Sequence, residues 1–219
     1  MKDIPRAILW DLDGTIVDTK LGHFDSWQFA LEKHGFTLDR SIFDKNFGRN
    51  NMTVLPKYLG FEPDADLEAE IINDKEDFFC ENAPRQATLI PGVESWLSTA
   101  KAMNIAQAIA SSAPMGNISV LLNHSNLDHY FDLFVSGANM PAKPEPDIFL
   151  KAASRLGQEP GECLVIEDSV AGIQAAKSAG MMCIAVMTSH AKDDLILADL
   201  VVEDFQEPLA VAFDLLSWQ

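Results

Sequence analysis

Six short apolar runs recur along the chain, and most of them are separated by segments with helical periodicity. The runs cover residues 7–10, 105–110, 133–135, 163–166, 183–186 and 200–202. The helical candidates cover residues 93–103, 116–123, 146–156, 171–179 and 208–216. Apolar strands that alternate with helices are typical of a parallel sheet covered on both faces. The pattern therefore predicts an α/β fold built on a doubly wound parallel sheet.

The segment from residue 20 to residue 88 breaks this alternation. It contains amphipathic patterns such as HFDSWQFALEKHGF and NMTVLPKYLGF, and no convincing strand. A helical insertion explains such a segment better than a long loop without structure. We therefore predict a core domain of residues 1–17 and 89–219, with residues 18–88 forming a helical cap domain over the strand ends.

The composition narrows the possible partners. The net charge is −17, with 16 Lys and Arg against 33 acids, which argues against nucleic acid because phosphate backbones need a basic surface. No apolar run is long enough to span a membrane, and the N-terminus lacks the apolar stretch of a signal peptide. The three cysteines Cys80, Cys163 and Cys183 lack metal-site spacing and predict reduced thiols. We expect a cytoplasmic protein that binds neither membrane nor nucleic acid, and a monomer rather than an oligomer.

The stretch WDLDGTIVDT, residues 10–19, places Asp11 and Asp13 where the first apolar run ends. Ligands of parallel α/β sheets bind outside the carboxyl ends of the strands. A spacing of two lets both carboxylates lean toward one small volume, and Gly14 allows the chain to turn away. The alternative is a tight turn whose acids simply face water.

A second acidic pair favours a cation site over a solvent-exposed turn. In CLVIEDSVAGIQAAKSAG, Glu167 and Asp168 end another apolar run. Four carboxylates at one sheet edge would repel one another, and a divalent cation with oxygen ligands, most simply Mg²⁺, would remove that repulsion. The sequence therefore predicts a magnesium site formed by Asp11, Asp13, Glu167 and Asp168.

Ser111, Ser112 and Lys143 fit a phosphate at the same edge. Ser111 closes the run IAQAIA before a probable helix start, so its hydroxyl and nearby backbone N–H groups are candidates to bind phosphate oxygens, with a simple helix cap as the alternative for either serine. Lys143, in AKPEPDIFL, lies in a loop and would ordinarily be solvated. Beside an anionic nucleophile and a phosphate dianion, however, a cation is needed.

The ordered motifs DLDGT, the strand-ending serine, Lys-Pro and Glu-Asp-Ser resemble those of the haloacid dehalogenase superfamily. The resemblance covers essentially the whole chain. It is closest to the branch with a helical cap after the first motif, which includes phosphoglycolate-type phosphatases and β-phosphoglucomutases. The dehalogenases of this superfamily lack the second aspartate of the first motif, so Asp13 favours phosphate chemistry.

The resemblance implies a role for each motif residue. Asp11 would attack phosphorus to give an aspartyl-phosphate, and Asp13 would serve as acid and then as base. Asp11, the backbone carbonyl of Asp13 and Asp168 would hold Mg²⁺, with Glu167 bound directly or through water. Ser111 and Lys143 would stabilise the transferring phosphoryl group.

The cap segment is expected to select the substrate. His23 and Trp27 match positions that are often His and Trp in the phosphoglucomutase branch, and His23 is a candidate for substrate contact or for a hinge hydrogen bond. Arg49 and Asn50 form a polar loop that we expect to face the site. Asn51 falls where those mutases have a phosphate-binding arginine. Lys75 is expected on a solvated helix face, with a side chain that points inward as the alternative.

Three functions compete at this point. The leading hypothesis is a phosphatase that acts on a small phosphorylated metabolite. A β-phosphoglucomutase-like sugar phosphomutase is the nearest alternative, because it would use the same aspartyl-phosphate. A phosphoacceptor signalling domain also places acids and a lysine at a sheet edge, but such domains are shorter and lack the helical insertion.

Overall fold

A six-stranded parallel sheet forms the centre of the molecule in a computed structural model that describes residues 4–216. The strands of the molecule are β1 Ala7–Trp10, β2 Val17–Asp18, β3 Thr88–Leu89, β4 Ala106–Ser111, β5 Leu133–Ser136, β6 Cys163–Glu167, β7 Met182–Val186 and β8 Leu200–Val202. The order in the main sheet is β5-β4-β1-β6-β7-β8, with every pairing parallel. The first strand thus lies between two strands that are distant in sequence, which is the doubly wound arrangement predicted.

Helices cover both faces of this sheet. The helices along the chain are α1 Lys20–Lys33, α2 Arg40–Asn46, α3 Asn51–Leu59, α4 Ala65–Asn82, α5 Val93–Ala102, α6 Met115–Ser125, α7 Asp147–Leu156, α8 Val170–Ser178 and α9 Leu209–Leu215. In β1, Ile8 and Trp10 pack toward α5, α6 and α9, while Ala7 and Leu9 pack toward α7 and α8. Because side chains alternate along a strand and both faces are covered, β1 is apolar at every position and fully buried.

Helices α1 to α4 lie between β2 and β3 and have an apolar centre of their own. Trp27, Leu31, Phe43, Leu55 and Ile71 are among its members, and each is almost completely buried. Burying a large apolar side chain contributes about 1.5–3 kcal/mol, so this cluster stabilises the inserted helices from within. The later part of α4 instead joins the core through Phe79, which packs with the residues on one face of the sheet.

Strands β2 and β3 form an antiparallel ribbon at the two ends of the inserted segment. Val17 pairs with Leu89 and Asp18 pairs with Thr88, so the chain leaves and re-joins the core at one place. The predicted boundaries at residues 17/18 and 88/89 fall inside this ribbon. The division into two domains stays a prediction, although the predicted helical nature of the insertion is confirmed.

The cysteines and the helices bear on two of the predictions from composition. The three cysteines are free, with Cys163 and Cys183 buried and Cys80 half-buried. Across residues 4–216, the structure contains no helix of the length and apolar character that a bilayer crossing requires.

Candidate active site

The predicted polar residues meet at the carboxyl edge of three neighbouring strands. Asp11 directly follows β1, Ser111 ends β4, and Glu167 ends β6 with Asp168 next in sequence. Because β1 is hydrogen-bonded to both β4 and β6 in parallel register, their ends lie side by side. The fold therefore brings together residues that are distant from one another in the sequence.

Three of the four predicted acids form a compact group. Carboxylate oxygens of Asp11, Glu167 and Asp168 lie within 4.8 Å of one another, and all three residues are buried. Burial raises the pKa of Asp11 to about 7, with further increases from Glu167 and Asp13 that Lys143 opposes. Burial and the same negative neighbours raise the pKa of Asp168 well above its ordinary value. This concentration of buried oxygen ligands fits a hard divalent cation such as Mg²⁺.

Lys143 is the cation of this group. Its Nζ donates hydrogen bonds to Asp11 Oδ1 at 2.6 Å and to Glu167 Oε1 at 2.7 Å, and the residue is 4% exposed. Burial alone would lower the pKa of the ammonium, but Asp11 and Glu167 raise it above its ordinary value. Lys143 therefore stays protonated beside the acids, and the alternative of a solvated loop lysine is wrong.

Asp13 faces a different set of partners from the other acids. Its Oδ1 accepts hydrogen bonds from Thr19 Oγ1 at 2.7 Å and from His23 Nε2 at 3.1 Å, and its Oδ2 accepts one from Ser111 Oγ at 3.3 Å. Burial opposes ionisation of Asp13, but the bonds from His23 and Thr19 lower its pKa below the ordinary value. Its side chain is not part of the compact acidic group, so a metal bond from Asp13 would have to come from its backbone carbonyl, which stays a prediction.

The burial of Asp11 and Asp13 tests the alternative that both acids lie in a tight turn facing water. Asp11 and Asp13 are 7% and 8% exposed, so the interpretation that these acids face water is wrong. Gly14 has a φ of +87°, and a Cβ there would lie 2.2 Å from Asp168 Oδ2. A side chain at position 14 would therefore be both strained and in collision with the acidic group.

The serines of the second motif lie beside Asp13. Ser111 is buried, its Oγ accepts a hydrogen bond from Ala113 N at 3.1 Å, and Ser112 is half-buried on the wall of the same cavity. Pro114 is the residue that caps α6, so the helix-cap alternative for Ser111 and Ser112 is wrong. Phosphate binding by these serines stays a prediction.

A cavity of about 40 Å³ separates the acidic edge from the inserted helices. Asp11, Asp13 and Ser111 line its lower side. The opposite wall carries His23, Trp27, Arg49, Asn50, Asn51 and Lys75. A volume of this size holds a few water molecules, so the residues predicted to read the substrate and those predicted to react with it face the same small space.

The structure assigns several of the predicted cap residues specific contacts. His23 stacks on Phe79 with ring centroids 4.2 Å apart and bonds Asp13, which fits the expected hinge hydrogen bond. Asn50 caps α3, since its Oδ1 accepts a hydrogen bond from Thr53 N at 3.0 Å. Asn51 Nδ2 donates to Glu76 Oε1 at 2.6 Å. Arg49 is exposed at the edge of the cavity.

The buried position of Lys75 differs from the prediction made from the sequence. We predicted a solvated helix face, but the side chain is 1% exposed and its Nζ lies 5.0 Å from the Phe79 ring centroid and 5.7 Å from that of Trp27. The signal was present in the sequence, because Ile71, Lys75 and Phe79 follow one another at helical spacing and all three are buried. The inward-pointing alternative for Lys75 is therefore the one that the structure shows.

Other contributors were not identified from the sequence. Asp168 Oδ1 accepts a hydrogen bond from Thr15 Oγ1 at 3.3 Å, the Ser189 side chain also bonds Asp168, and His190 Nδ1 donates to the Asp168 carbonyl at 3.1 Å. Thr15 lies within the first motif, which offered a signal. Ser189 and His190 follow β7 at the same sheet edge, and only knowledge of the strand order would have drawn attention to them.

The parallel sheet, the acidic group at its carboxyl edge and the inserted helices together define a doubly wound α/β protein whose candidate active site lies beneath a helical insertion. More particularly, the model of the haloacid dehalogenase-like hydrolases matches residues 5–180, and the chain belongs to this family. It is an enzyme of the phosphoric monoester hydrolase type.

The relatives of the chain include both a phosphomutase and a phosphatase. The chain is 31% identical to the β-phosphoglucomutase of Bacillus subtilis (strain 168), over 90% of this chain and 88% of that protein. It is 29% identical to the phosphorylated carbohydrates phosphatase of Thermotoga maritima, over 80% of this chain and 82% of that protein. The crystal structure of a β-phosphoglucomutase from Clostridium difficile is similar with a TM-score of 0.84 and 26% identity, covering 97% of both chains.

Proposed function

We propose that this protein is a Mg²⁺-dependent phosphatase that hydrolyses a sugar phosphate, or a similar small monoester, through an aspartyl-phosphate. One observation carries the proposal: Asp11 is buried with its pKa raised to about 7, accepts a hydrogen bond from Lys143, and lies within 4.8 Å of the carboxylates of Glu167 and Asp168. A nucleophilic carboxylate, a fixed cation and a divalent-cation site are what transfer of a phosphoryl group to an aspartate needs. The names of the relatives support carbohydrate phosphates as the substrate class.

The two half-reactions follow from the positions of Asp11 and Asp13. In the first, Asp11 Oδ attacks phosphorus and the bond from phosphorus to the ester oxygen breaks, while the departing alcohol takes a proton from the protonated form of Asp13, which the negative charge of a bound phosphate favours. In the second, Asp13 takes a proton from water as that water attacks the aspartyl-phosphate, which releases inorganic phosphate and restores Asp11. Thr19, His23 and Ser111 hold the Asp13 carboxyl in place for both proton transfers.

The charge at the site requires cations. Asp11, Glu167 and Asp168 would hold Mg²⁺, which when bound would neutralise part of the negative charge on the transferring group. Lys143 supplies a second positive charge next to Asp11 and keeps the nucleophile oriented toward the cavity side of the sheet edge. Ser111 and Ser112 are the candidate donors to the remaining phosphate oxygens.

The inserted helices would hold the organic part of the substrate. The cavity of about 40 Å³ is much smaller than the sites of about 300–1,000 Å³ that usually hold small-molecule ligands. We infer that the inserted helices move relative to the sheet edge when a substrate binds. Arg49, Asn51 and Lys75 then line the wall that meets the part of the substrate distant from phosphorus.

Hydrolysis is favoured over a mutase reaction by the contact of Asn51. A mutase must grip the distal phosphate of a bisphosphate intermediate, for which an arginine offers a bidentate pair of donors. In this chain the corresponding asparagine donates its amide to Glu76 at 2.6 Å. One of the two N–H groups of that amide is already engaged, and the amide carries no charge. Water should therefore intercept the aspartyl-phosphate before a second sugar hydroxyl does.

Phosphorus NMR of one reaction mixture tests this conclusion. With β-glucose 1-phosphate and a bisphosphate primer, we expect inorganic phosphate and free sugar, with glucose 6-phosphate as a minor species at most. Rapid conversion to the 6-phosphate with little inorganic phosphate would identify a mutase instead. Hydrolysis of p-nitrophenyl phosphate in parallel reports whether the core of the site is active.

A further inference from the structure

Glu76 forms a buried contact that no step of the proposed reaction uses. Its Oε1 accepts a hydrogen bond from Lys75 Nζ at 2.7 Å and another from Asn51 Nδ2 at 2.6 Å. The side chain is 17% exposed, and its other oxygen, Oε2, is buried without a hydrogen-bond partner in the described part of the chain. Both donors to Glu76 lie on the cavity wall opposite Asp11.

The pair formed by Lys75 and Glu76 has no net charge. Without Glu76, the buried ammonium of Lys75 would be a cation enclosed by the rings of Trp27 and Phe79. Such a group attracts anions strongly, because little water screens it. The carboxylate of Glu76 removes that attraction. Lys75 and Asn51 keep N–H groups, which suit neutral hydroxyl acceptors.

We propose that Glu76 is the residue that restricts this wall to the hydroxyl-bearing end of a monophosphate and excludes a second phosphate group. Glu76 acts through its neighbours rather than by touching the substrate, and it is therefore a positioning residue. The inference rests on the proposed function, because it assumes that the wall meets the organic part of a phosphate ester. It adds the substrate class: monophosphorylated polyols and sugars rather than bisphosphates.

The geometry distinguishes two consequences of Glu76. Its charge cancels that of Lys75, so a phosphate approaching the wall meets no uncompensated cation and must also approach a buried carboxylate. Its Oε1 fixes Asn51, the first residue of α3, relative to α4. Glutamine at position 76 preserves the carbonyl oxygen that both donors use but removes the negative charge. The substitution therefore separates the electrostatic effect from the packing effect.

The test compares Glu76→Gln with Asp77→Asn, which makes the same chemical change at the next, exposed position of α4. For each variant, kcat/KM is measured for fructose 6-phosphate and fructose 1,6-bisphosphate, with p-nitrophenyl phosphate as a measure of the reactive core. We expect the ratio of bisphosphate to monophosphate activity to rise on the order of tenfold in Glu76→Gln, since one unit charge is removed from a buried pair. Asp77→Asn should leave the ratio at the wild-type value.

A second variant tests whether the sign of the charge removed decides the effect. The Lys75→Met protein, in which an apolar side chain replaces the buried ammonium, loses a positive charge, so its ratio should not rise above the wild-type value. An unchanged ratio in Glu76→Gln, or an equal rise in Glu76→Gln and Lys75→Met, would overturn the proposal. Circular dichroism and urea unfolding of each variant show whether it is folded.

Calorimetric measurement of ester binding tests the role of Glu76 independently of whether the protein hydrolyses phosphate esters. Glu76→Gln should bind fructose 1,6-bisphosphate more tightly than the wild-type protein does, whereas binding of fructose 6-phosphate should change little. If the wild-type protein releases phosphate from no ester, the proposed function fails, and these binding constants still decide the role of Glu76. Equal tightening for both esters would refute the exclusion of a second phosphate.

Discussion

One methyl group added at Gly172 should have a large effect, because this glycine packs directly against Glu167 in the candidate site. A Cβ at position 172 would lie 1.7 Å from Glu167 Oε1 and 1.9 Å from its Cδ, distances at which the carboxylate has to move. Gly172 is the third residue of α8, and the missing side chain leaves the space that Glu167 occupies. Gly172→Ala should therefore displace the Glu167 carboxylate from its partners.

The magnitude follows from the hydrogen bonds that would be lost. Glu167 accepts three, each at 2.7 Å, from Lys143 Nζ, Asp168 N and Ser169 N. Breaking a buried ion pair of this kind costs about 3–5 kcal/mol. Alanine recovers up to about 1 kcal/mol because it is the better helix former. We expect the free energy of unfolding to fall by about 2–4 kcal/mol. In a protein of this size, each kcal/mol lost should lower Tm by about 2–4 °C.

Urea unfolding in EDTA measures this effect without a contribution from metal. Gly116→Ala, in the first turn of α6, is the matched control, because a Cβ there meets only Cys80 Sγ, at an ordinary 3.8 Å. In a Glu167→Ala background the collision is absent, and Gly172→Ala should cost little. The reasoning is refuted if Gly172→Ala is as stable as Gly116→Ala, or if its cost is the same in both backgrounds.

Three further predictions concern the acidic group itself. EDTA should abolish ester hydrolysis and Mg²⁺ should restore it, while Ca²⁺ should inhibit because its looser coordination misaligns the reacting groups; full activity in EDTA would rule out the metal. Asp11→Asn should form no covalent phosphoenzyme, whereas Asp13→Asn should retain slow phosphorylation from acetyl phosphate; a phosphorylated Asp11→Asn protein, detected by mass spectrometry, would reverse the two roles. In EDTA, the folded protein should hold a proton on Asp11 that the unfolded chain releases, because the pKa rises from 3.8 to about 7 on folding. Its stability relative to Asp11→Asn should therefore increase as the pH falls from about 8 to 5, and a difference that is constant across this range in urea unfolding would contradict the assignment.

The sheet was largely predictable because its strands are buried on both faces. The predicted runs at residues 7–10 and 200–202 coincide with β1 and β8, three others differ from β5, β6 and β7 by one residue at one end, and the run 105–110 is displaced by one residue from β4. Continuous apolar runs identify such strands without any alternation. The ribbon of Val17–Asp18 and Thr88–Leu89 was missed, because two-residue strands are too short to show a period.

The chemistry of the candidate site was more predictable than its surroundings. Asp11, Glu167 and Asp168 follow apolar strands, so one rule about parallel sheets placed them together. Lys75 and Glu76 were not predicted as a pair, because adjacent residues on a helix usually point in different directions. Their contact depends on the packing of α4 against α1 and the core, which no local pattern in the sequence records.

The ribbon of β2 and β3 has a consequence for how such a chain can evolve. Val17 and Leu89 are hydrogen-bonded neighbours, so the inserted helices occupy a gap no wider than the spacing of two strands. A segment of any length could be exchanged there without altering the order or register of the six core strands. The carboxylates at the sheet edge and the inserted helices can therefore change independently of one another during evolution.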